Sequence, residues 1–259
     1  MRYTEAFLGT LPAPIAAILR VGPQRAGEIP FVVRPSASGT YDERGMALDA
    51  GGATPASTAT TSPNPAGTEP QRYMHTLITS GDGASETAGR FGIPSLSMLL
   101  TSAAGYVWRA IVALDITAAG RGGMLQAVDF AVDFEPDGTI SGDGWAKGSG
   151  DARVLRWYNG TPGSTAALTG SAPTDGRRYD AIIACAAGST TAYAVLIDLS
   201  NPDAPVIADS RTFTPSGTAG TLKGLELNSS PGPAASGQTA VTLRFYLLEG
   251  CLLLRELPA

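Results

Sequence analysis

From residue 106 to residue 256 the sequence is a series of short apolar runs separated by turn-forming residues, and this pattern constrains the fold more than any other feature. The Asp-Gly and Asn-Gly dipeptides at 137–138, 159–160 and 175–176 tolerate the positive φ that tight β-hairpin turns require. Short strands joined by such turns favour antiparallel pairing. The sequence therefore predicts an all-β fold, a two-sheet antiparallel β-sandwich with an extended N-terminal arm.

Two of these runs alternate between apolar and polar residues, as expected of strands with one buried face. The run 106–116 places Tyr106 and Trp108 on one face and Arg109 on the other, and 126–135 alternates similarly. Further strands are predicted at 153–159, 179–187, 192–199, 206–213, 222–227, 241–248 and 251–256.

The first 72 residues differ from this pattern. Residues 1–49 contain a predicted short helix at 15–19 and a strand at 29–33, whereas 50–72 is rich in Ala, Thr and Pro and has no large apolar residue to bury. We therefore predict an N-terminal arm or anchoring segment (1–49), an Ala/Thr/Pro-rich linker (50–72) and a β-sandwich (73–259). The alternative, that 50–72 is a long surface loop laid over its own sheet, stays open.

Composition excludes several classes of protein. The formal net charge is −5, and the sequence has no basic run of the kind that nucleic-acid binding requires. No apolar stretch reaches the roughly 18 residues of a membrane-spanning helix, and Glu5 and Pro12 interrupt any signal peptide. Cys185 and Cys251 both lie in predicted strands, where two buried thiols are expected rather than a disulfide.

Several segments together resemble the concanavalin A-like, laminin-G-type jelly roll. They are FGIPSL at 91–96, YVWRAIV at 106–112, the aspartate-rich run 126–135, WYNG at 157–160, YDAII at 179–183, YAVLID at 193–198 and LRFY at 243–246. Such domains occur in polysaccharide-binding modules and in phage tail and capsid appendages. The resemblance implies a lectin-like sandwich over residues 73–259 and a role in binding or assembly.

The acidic residues at 129–135 argue against catalysis. Some glycosidases on this sandwich carry Glu-x-Asp-x-Glu on one strand, whose outer acids act as nucleophile and general acid. This chain has Asp133 and Glu135 but Ala131 at the nucleophile position, so we predict no enzymatic activity. Acids on a solvated sheet face are the favoured interpretation, and contact of Asp129 and Asp133 with a glycan is the alternative.

No metal or cofactor is predicted. Residues 133–140 partly match a calcium-binding EF-hand loop, but Gly144 stands where the bidentate carboxylate is required. A calcium site of another kind at Asp137 or Asp143 is an open alternative. His75 is the one histidine of the chain, and we expect it to be a hydrogen-bonded residue at the start of a strand.

Aromatic residues supply the candidate glycan-binding site: Trp145, Trp157 and Tyr158, together with Asp129 and Asp133. Trp108 is expected in the core. Trp145 lies in the glycine-rich segment 142–150, predicted to be a loop. Its indole is either an exposed binding anchor or a plug over the sheet edge, and both interpretations stay open.

The leading functional prediction is a structural or appendage protein of a phage or virus-like particle, such as a capsid decoration, spike or tail fibre. Its expected partners are other virion proteins, further copies of itself and cell-surface polysaccharide, without nucleic acid or membrane insertion. Its expected location is the virion, after synthesis in the host cytoplasm. The alternative is a stand-alone carbohydrate-binding module, followed by a glycoside hydrolase.

Overall fold

The structure, a computed structural model, describes residues 3–33, 75–78, 89–92, 105–115, 121–129, 143–147, 155–159, 166–167, 178–215, 223–230 and 242–258. The strands of these residues form two sheets. The large sheet has the order β1 (Ile29–Val33), β13 (Thr242–Leu252), β4 (Tyr106–Asp115), β9 (Arg178–Cys185), β10 (Ala192–Asp198) and β11 (Val206–Phe213), and β2 (His75–Ile78) also pairs with β13. The small sheet has the order β3 (Gly89–Gly92), β12 (Lys223–Ser230), β5 (Arg121–Asp129), β6 (Asp143–Lys147), β7 (Leu155–Asn159) and β8 (Ala166–Ala167).

The two sheets pack face to face, which confirms the all-β sandwich predicted from the sequence. Strand pairing between the described strands is antiparallel throughout. Trp145 and Trp157 of the small sheet contact β11 of the large sheet, and Trp108 and Ile183 are buried on the inner face of the large sheet. Full burial of one large apolar side chain contributes about 1.5–3 kcal/mol, so burial at this interface stabilises the sandwich.

The predicted strand bounds agree with the structure where turn residues flank the strand. β1 and β11 have the predicted bounds, whereas the run predicted at 241–248 continues to Leu252 as the strand β13, and the strand predicted at 251–256 is wrong for residues 253–256. β5 (Arg121–Asp129) begins earlier than the predicted 126–135, and residues 130–135 lie outside the described residues. The segment around Trp145, predicted to be a loop, forms β6.

The N-terminal segment packs on the sandwich over residues 3–33, and residues 34–49 of the predicted arm lie outside the described residues. It contains α1 (Glu5–Leu8), capped by the Thr4 side chain, and α2 (Ala13–Val21), which ends at Gly22 with φ 94°. One stripe of α2 is apolar, and Ile15 and Ile18 are fully buried in the same cluster as residues of the large sheet. Detaching the segment would expose the apolar side chains of α2 and those of the large sheet beneath it, so the segment is part of the folded domain.

The strand β4 is buried on both faces, whereas its alternation predicted one buried face. Tyr106 and Trp108 lie on the face toward the small sheet, and Val107 and Ile111 lie on the outer face beneath the N-terminal helices. Arg109 shares this outer face, because side chains two apart in a strand project to the same side. The helices therefore enclose a charged side chain that the sequence alone would place in solvent.

One edge of the large sheet consists of two separate strands in line. β1 pairs with the C-terminal half of β13, where Val33 is opposite Leu248, and β2 pairs with its N-terminal half, where His75 is opposite Phe245. Residues 34–74, which include the predicted linker 50–72, lie outside the described residues. They are inserted between two positions that are only three residues apart along β13.

Candidate functional site

The strand β11 carries a polar and aromatic cluster that joins the two sheets at one side of the sandwich. The Trp145 indole Nε1 donates a hydrogen bond to Asp209 Oδ2 at 2.9 Å. The Trp157 ring makes edge-to-face contacts with Trp145 at 5.0 Å and with Phe213 at 4.9 Å between ring centroids. Contacts of this geometry are favourable beyond the area that they bury. The cluster therefore fixes β11 against β6 and β7.

Asp209, Arg211 and Phe213 alternate along β11 and share the face toward the small sheet. Asp209 is buried, and it accepts a hydrogen bond from Arg211 Nε at 3.0 Å as well as the bond from Trp145. The Arg211 side chain is 27% exposed, and Phe213 is partly buried. We call Asp209, Arg211 and Phe213 the β11 rim. It presents a guanidinium and an aromatic ring at the surface on a rigid base.

A second polar cluster lies on the outer face of the large sheet. Arg109 donates to Asp180 through Nε at 2.9 Å and Nη2 at 2.7 Å, and to Glu249 through Nη1 at 2.6 Å. The Tyr3 hydroxyl donates to Asp180, and Gln24 Nε2 donates to Glu249 at 2.9 Å. All three charged residues are buried. The cluster thus connects β4, β9 and β13 to the N-terminal segment.

Two pKa shifts follow from this burial. Burial by itself lowers the pKa of the Arg109 guanidinium, but the charges of Asp180 and Glu249 outweigh it and raise that pKa above its usual range. Burial and the adjacent Asp180 carboxylate raise the pKa of the Tyr3 hydroxyl. Arg109 therefore stays charged and Tyr3 neutral, and the N-terminal segment covers both, so the cluster is structural rather than a reactive centre.

The structure corrects the predicted aromatic site. Trp145 is 0% exposed and Trp157 is 5% exposed, so neither indole offers a face for stacking with a sugar. Trp145 lies in a strand opposite Trp157 and turns toward the core, because its N–H finds an acceptor in Asp209. The sequence prediction grouped the two residues correctly. For Trp145 it left open an exposed anchor and a plug over the sheet edge, and the burial of Trp145 contradicts the exposed anchor.

The other predicted contact residues are located only through their backbone. Tyr158 is opposite Gly144 in the pairing of β7 with β6, and Asp129 ends β5 opposite Lys223. Asp133, together with Ala131, Glu135 and Asp137, lies outside the described residues. The role of these residues in glycan binding or calcium binding stays a prediction.

The remaining sequence candidates occupy ordinary structural positions. Trp108 lies in the core, as predicted, and His75 is the first residue of β2. Cys185 and Cys251 are both buried thiols, as predicted, and no disulfide joins them. Burial raises the pKa of the Cys251 thiol to about 11. Among the described residues, no group of His, Cys, Asp or Glu is placed to hold a metal ion.

Sequence reasoning did not identify Arg109, Asp180, Glu249, Asp209 or Arg211 as partners. A signal for Asp180 was present, since a single acid interrupts the apolar run YDAIIAC at 179–185. Buried acids require a paired cation or several donors, so such an acid predicts a basic partner on a neighbouring strand. The partner itself depends on strand order, which one sequence does not supply.

No protein-family model and no curated protein sequence matches this chain. Among solved structures, a protein of unknown function from Shewanella oneidensis MR-1 is similar, with a TM-score of 0.58 and 10% identity over 96% of this chain and 98% of that one. Trypanosoma rangeli sialidase in complex with 2,3-difluorosialic acid has a TM-score of 0.51 and 14% identity, covering 92% of this chain. Peanut lectin has a TM-score of 0.48 and 11% identity over 86% of this chain and 97% of the lectin.

These similarities concern the fold. This chain matches 32% of the sialidase chain, so the match covers about a third of that enzyme. The all-β sandwich expected from the sequence is confirmed, and the resemblance to concanavalin A-like jelly rolls and the phage setting stay predictions. Within the described residues, no helix is long and apolar enough to cross a membrane.

Proposed function

We propose that this chain is a glycan-binding β-sandwich domain without enzymatic activity, and that the β11 rim is its binding surface. The observation that carries the proposal is the pair formed by Arg211 and Phe213. Both are partly exposed on the same face of one strand, while the buried Trp145 and Asp209 hold that strand in place. Binding sites of this kind combine an aromatic surface with a few fixed polar groups. A sugar ring would pack on Phe213 while its oxygen atoms accept from the guanidinium.

The described buried acids are all bonded to other side chains of the protein, and this supports glycan binding rather than glycan hydrolysis. Glycoside hydrolysis uses two carboxyl groups that flank the scissile bond, one of which must be free to give a proton. Asp180 and Glu249 are bound to Arg109 under the N-terminal segment, and Asp209 is bound to Trp145 and Arg211. None of these three acids reaches a substrate without breaking the cluster that holds it.

Glycan-array screening followed by titration of the hits tests the proposal. Phe213→Leu keeps an apolar side chain but removes the aromatic face, so we expect binding to weaken roughly three- to tenfold. Thr212→Ala is the matched control, because Thr212 is exposed and projects to the opposite side of the same strand. Tryptophan fluorescence checks that the core is unchanged. Absence of binding on the array, or release of reducing sugar from a bound glycan, would refute the proposal.

A second candidate function is an appendage protein of a phage or virus-like particle. Two observations favour it: charged residues make up only 16% of the chain, and residues 34–74 are inserted into an edge of the large sheet. A surface with few charges suits a protein covered by neighbouring subunits. Light scattering of the full chain and of a version lacking residues 34–74 tests this candidate. An oligomer that becomes a monomer on deletion supports it, and a monomer in both cases contradicts it.

A further inference from the structure

The guanidinium of Arg109 shows how two carboxylates are accommodated around one arginine in this fold. Asp180 takes the Nε side and Nη2, and Glu249 takes Nη1. The five N–H donors of an arginine lie in one plane, so two carboxylates fit around its edge without competing for the same hydrogen atom. The Arg109 cluster is complete, and it is buried.

Arg211 repeats the first half of this arrangement at the surface. Its Nε is bonded to one carboxylate, that of Asp209, at 2.9–3.0 Å. Among the described residues, Asp209 is the carboxylate paired with Arg211, and no second one occupies the place that Glu249 takes at Arg109. Since 27% of the Arg211 side chain is exposed, a molecule from solvent can approach it.

We propose that the β11 rim selects sugars that carry a carboxylate, with the Nη groups of Arg211 binding that carboxylate as Arg109 binds its second one. This inference rests on the proposed function of the same rim. Residues two apart in a strand are separated by about 7 Å, so a hexose ring packed on Phe213 places a substituent at Arg211. One sugar acid therefore contacts both residues.

The donor chemistry of the rim favours an acid over a neutral sugar. Asp209 is buried and already accepts from Trp145 and Arg211, so the rim offers donors rather than acceptors. Hydrogen bonds from a guanidinium to a carboxylate are roughly twice as strong as those to a neutral oxygen, and they form in parallel pairs. Asp209 neutralises part of the Arg211 charge, which weakens the long-range attraction of an anionic sugar. The preference for acidic over neutral sugars therefore depends mainly on the parallel pair of hydrogen bonds between the guanidinium and the carboxylate.

Saturation-transfer NMR titrations with two matched pairs of sugars test the inference. The probes are methyl β-glucuronide and N-acetylneuraminic acid, each beside its methyl ester, at constant ionic strength. We expect the acid to bind roughly tenfold more tightly than the ester. Arg211→Gln should abolish this difference, Arg211→Lys should reduce it because an ammonium cannot make the paired contact, and Thr212→Ala should leave it unchanged.

The outcomes separate this inference from the proposed function. Equal binding of acid and ester, or a preference that persists in Arg211→Gln, overturns the selection of acids while glycan binding stands. If Arg211→Gln does not fold, Arg211→Lys and the ester comparison on the unmodified chain still decide. Failure of every sugar, acidic or neutral, to bind refutes the proposed function itself.

Discussion

Replacing Arg109 with methionine should destabilise the protein strongly, because it leaves two buried carboxylates without a cation. Asp180 is 0% exposed and Glu249 is 8% exposed, and Arg109 makes ion pairs of 2.7 and 2.6 Å with them. Removing one partner of a buried ionic cluster typically costs about 3–5 kcal/mol. For a chain of this size, that cost corresponds to a fall in Tm of roughly 6–20 °C.

Urea unfolding followed by tryptophan fluorescence measures this loss, and the chain supplies a matched control. Arg20 makes an ion pair with Glu5 at 2.9 Å, but both side chains are largely exposed, at 44% and 75%. Arg20→Met should therefore cost less than about 1 kcal/mol. Replacing both acids by their amides in the Arg109→Met background should restore part of the stability. If Arg109→Met and Arg20→Met lowered the free energy of unfolding equally, the reasoning that a buried ion pair is costlier to break than an exposed one would be refuted.

Three further predictions concern other parts of the sandwich. Joining Val33 to His75 through two residues should preserve the fold and raise the free energy of unfolding by about 2–3 kcal/mol in denaturant titrations, because fewer residues then separate two strands that pair with the same edge. Burial raises the pKa of the Cys251 thiol from 9.0 to about 11, so above pH 9 the thiol ionises more readily in the unfolded chain than in the folded one. The free energy of unfolding should therefore decrease between pH 9 and 11, by up to about 3 kcal/mol. Cys251→Ala should abolish this part of the decrease. Trp145→Phe removes the donor to Asp209 and should cost about 1–3 kcal/mol in thermal unfolding, together with weaker sugar binding at the rim.

The sequence predicted what depends on local pattern. Strands bounded by Gly, Pro or Asn were found with correct or nearly correct bounds, as at Val206–Phe213, because turn chemistry fixes where a strand ends. The segment around Trp145 was missed as a strand, since four glycines within 142–150 mask its alternation. Glycine permits a turn without requiring one, and pairing with β5 and β7 decided the outcome.

What the sequence could not predict depends on strand order. Arg109, Asp180 and Glu249 are far apart in the chain, and only the order β13-β4-β9 brings them onto one face. Residues 1–49 were predicted to be an arm because the run 50–72, interpreted as a linker, separates them from the strands that follow, and only a short helix at 15–19 was expected for α2. Its real length, Ala13–Val21, gives it an apolar stripe that a helix at 15–19 would lack.

Other parts of the chain cover the outer face and one edge of the large sheet, so a ligand can bind only at the surfaces that remain open. Substitutions in the covered part should therefore change stability, and substitutions in the open part should change binding. Residues 3–26 occupy its outer face, and β1 and β2 close the edge at β13, so β11 is its remaining edge among the described strands. Arg109 and Arg211 therefore both pair with carboxylates, but Arg109 is buried whereas Arg211 is partly exposed to solvent. Arg109→Met should lower Tm without changing the preference for sugar acids in the folded fraction, whereas Arg211→Gln should change that preference with a much smaller effect on Tm. If both substitutions changed both properties equally, the two clusters would be one coupled unit, and the assignment of binding to the rim would lose its basis.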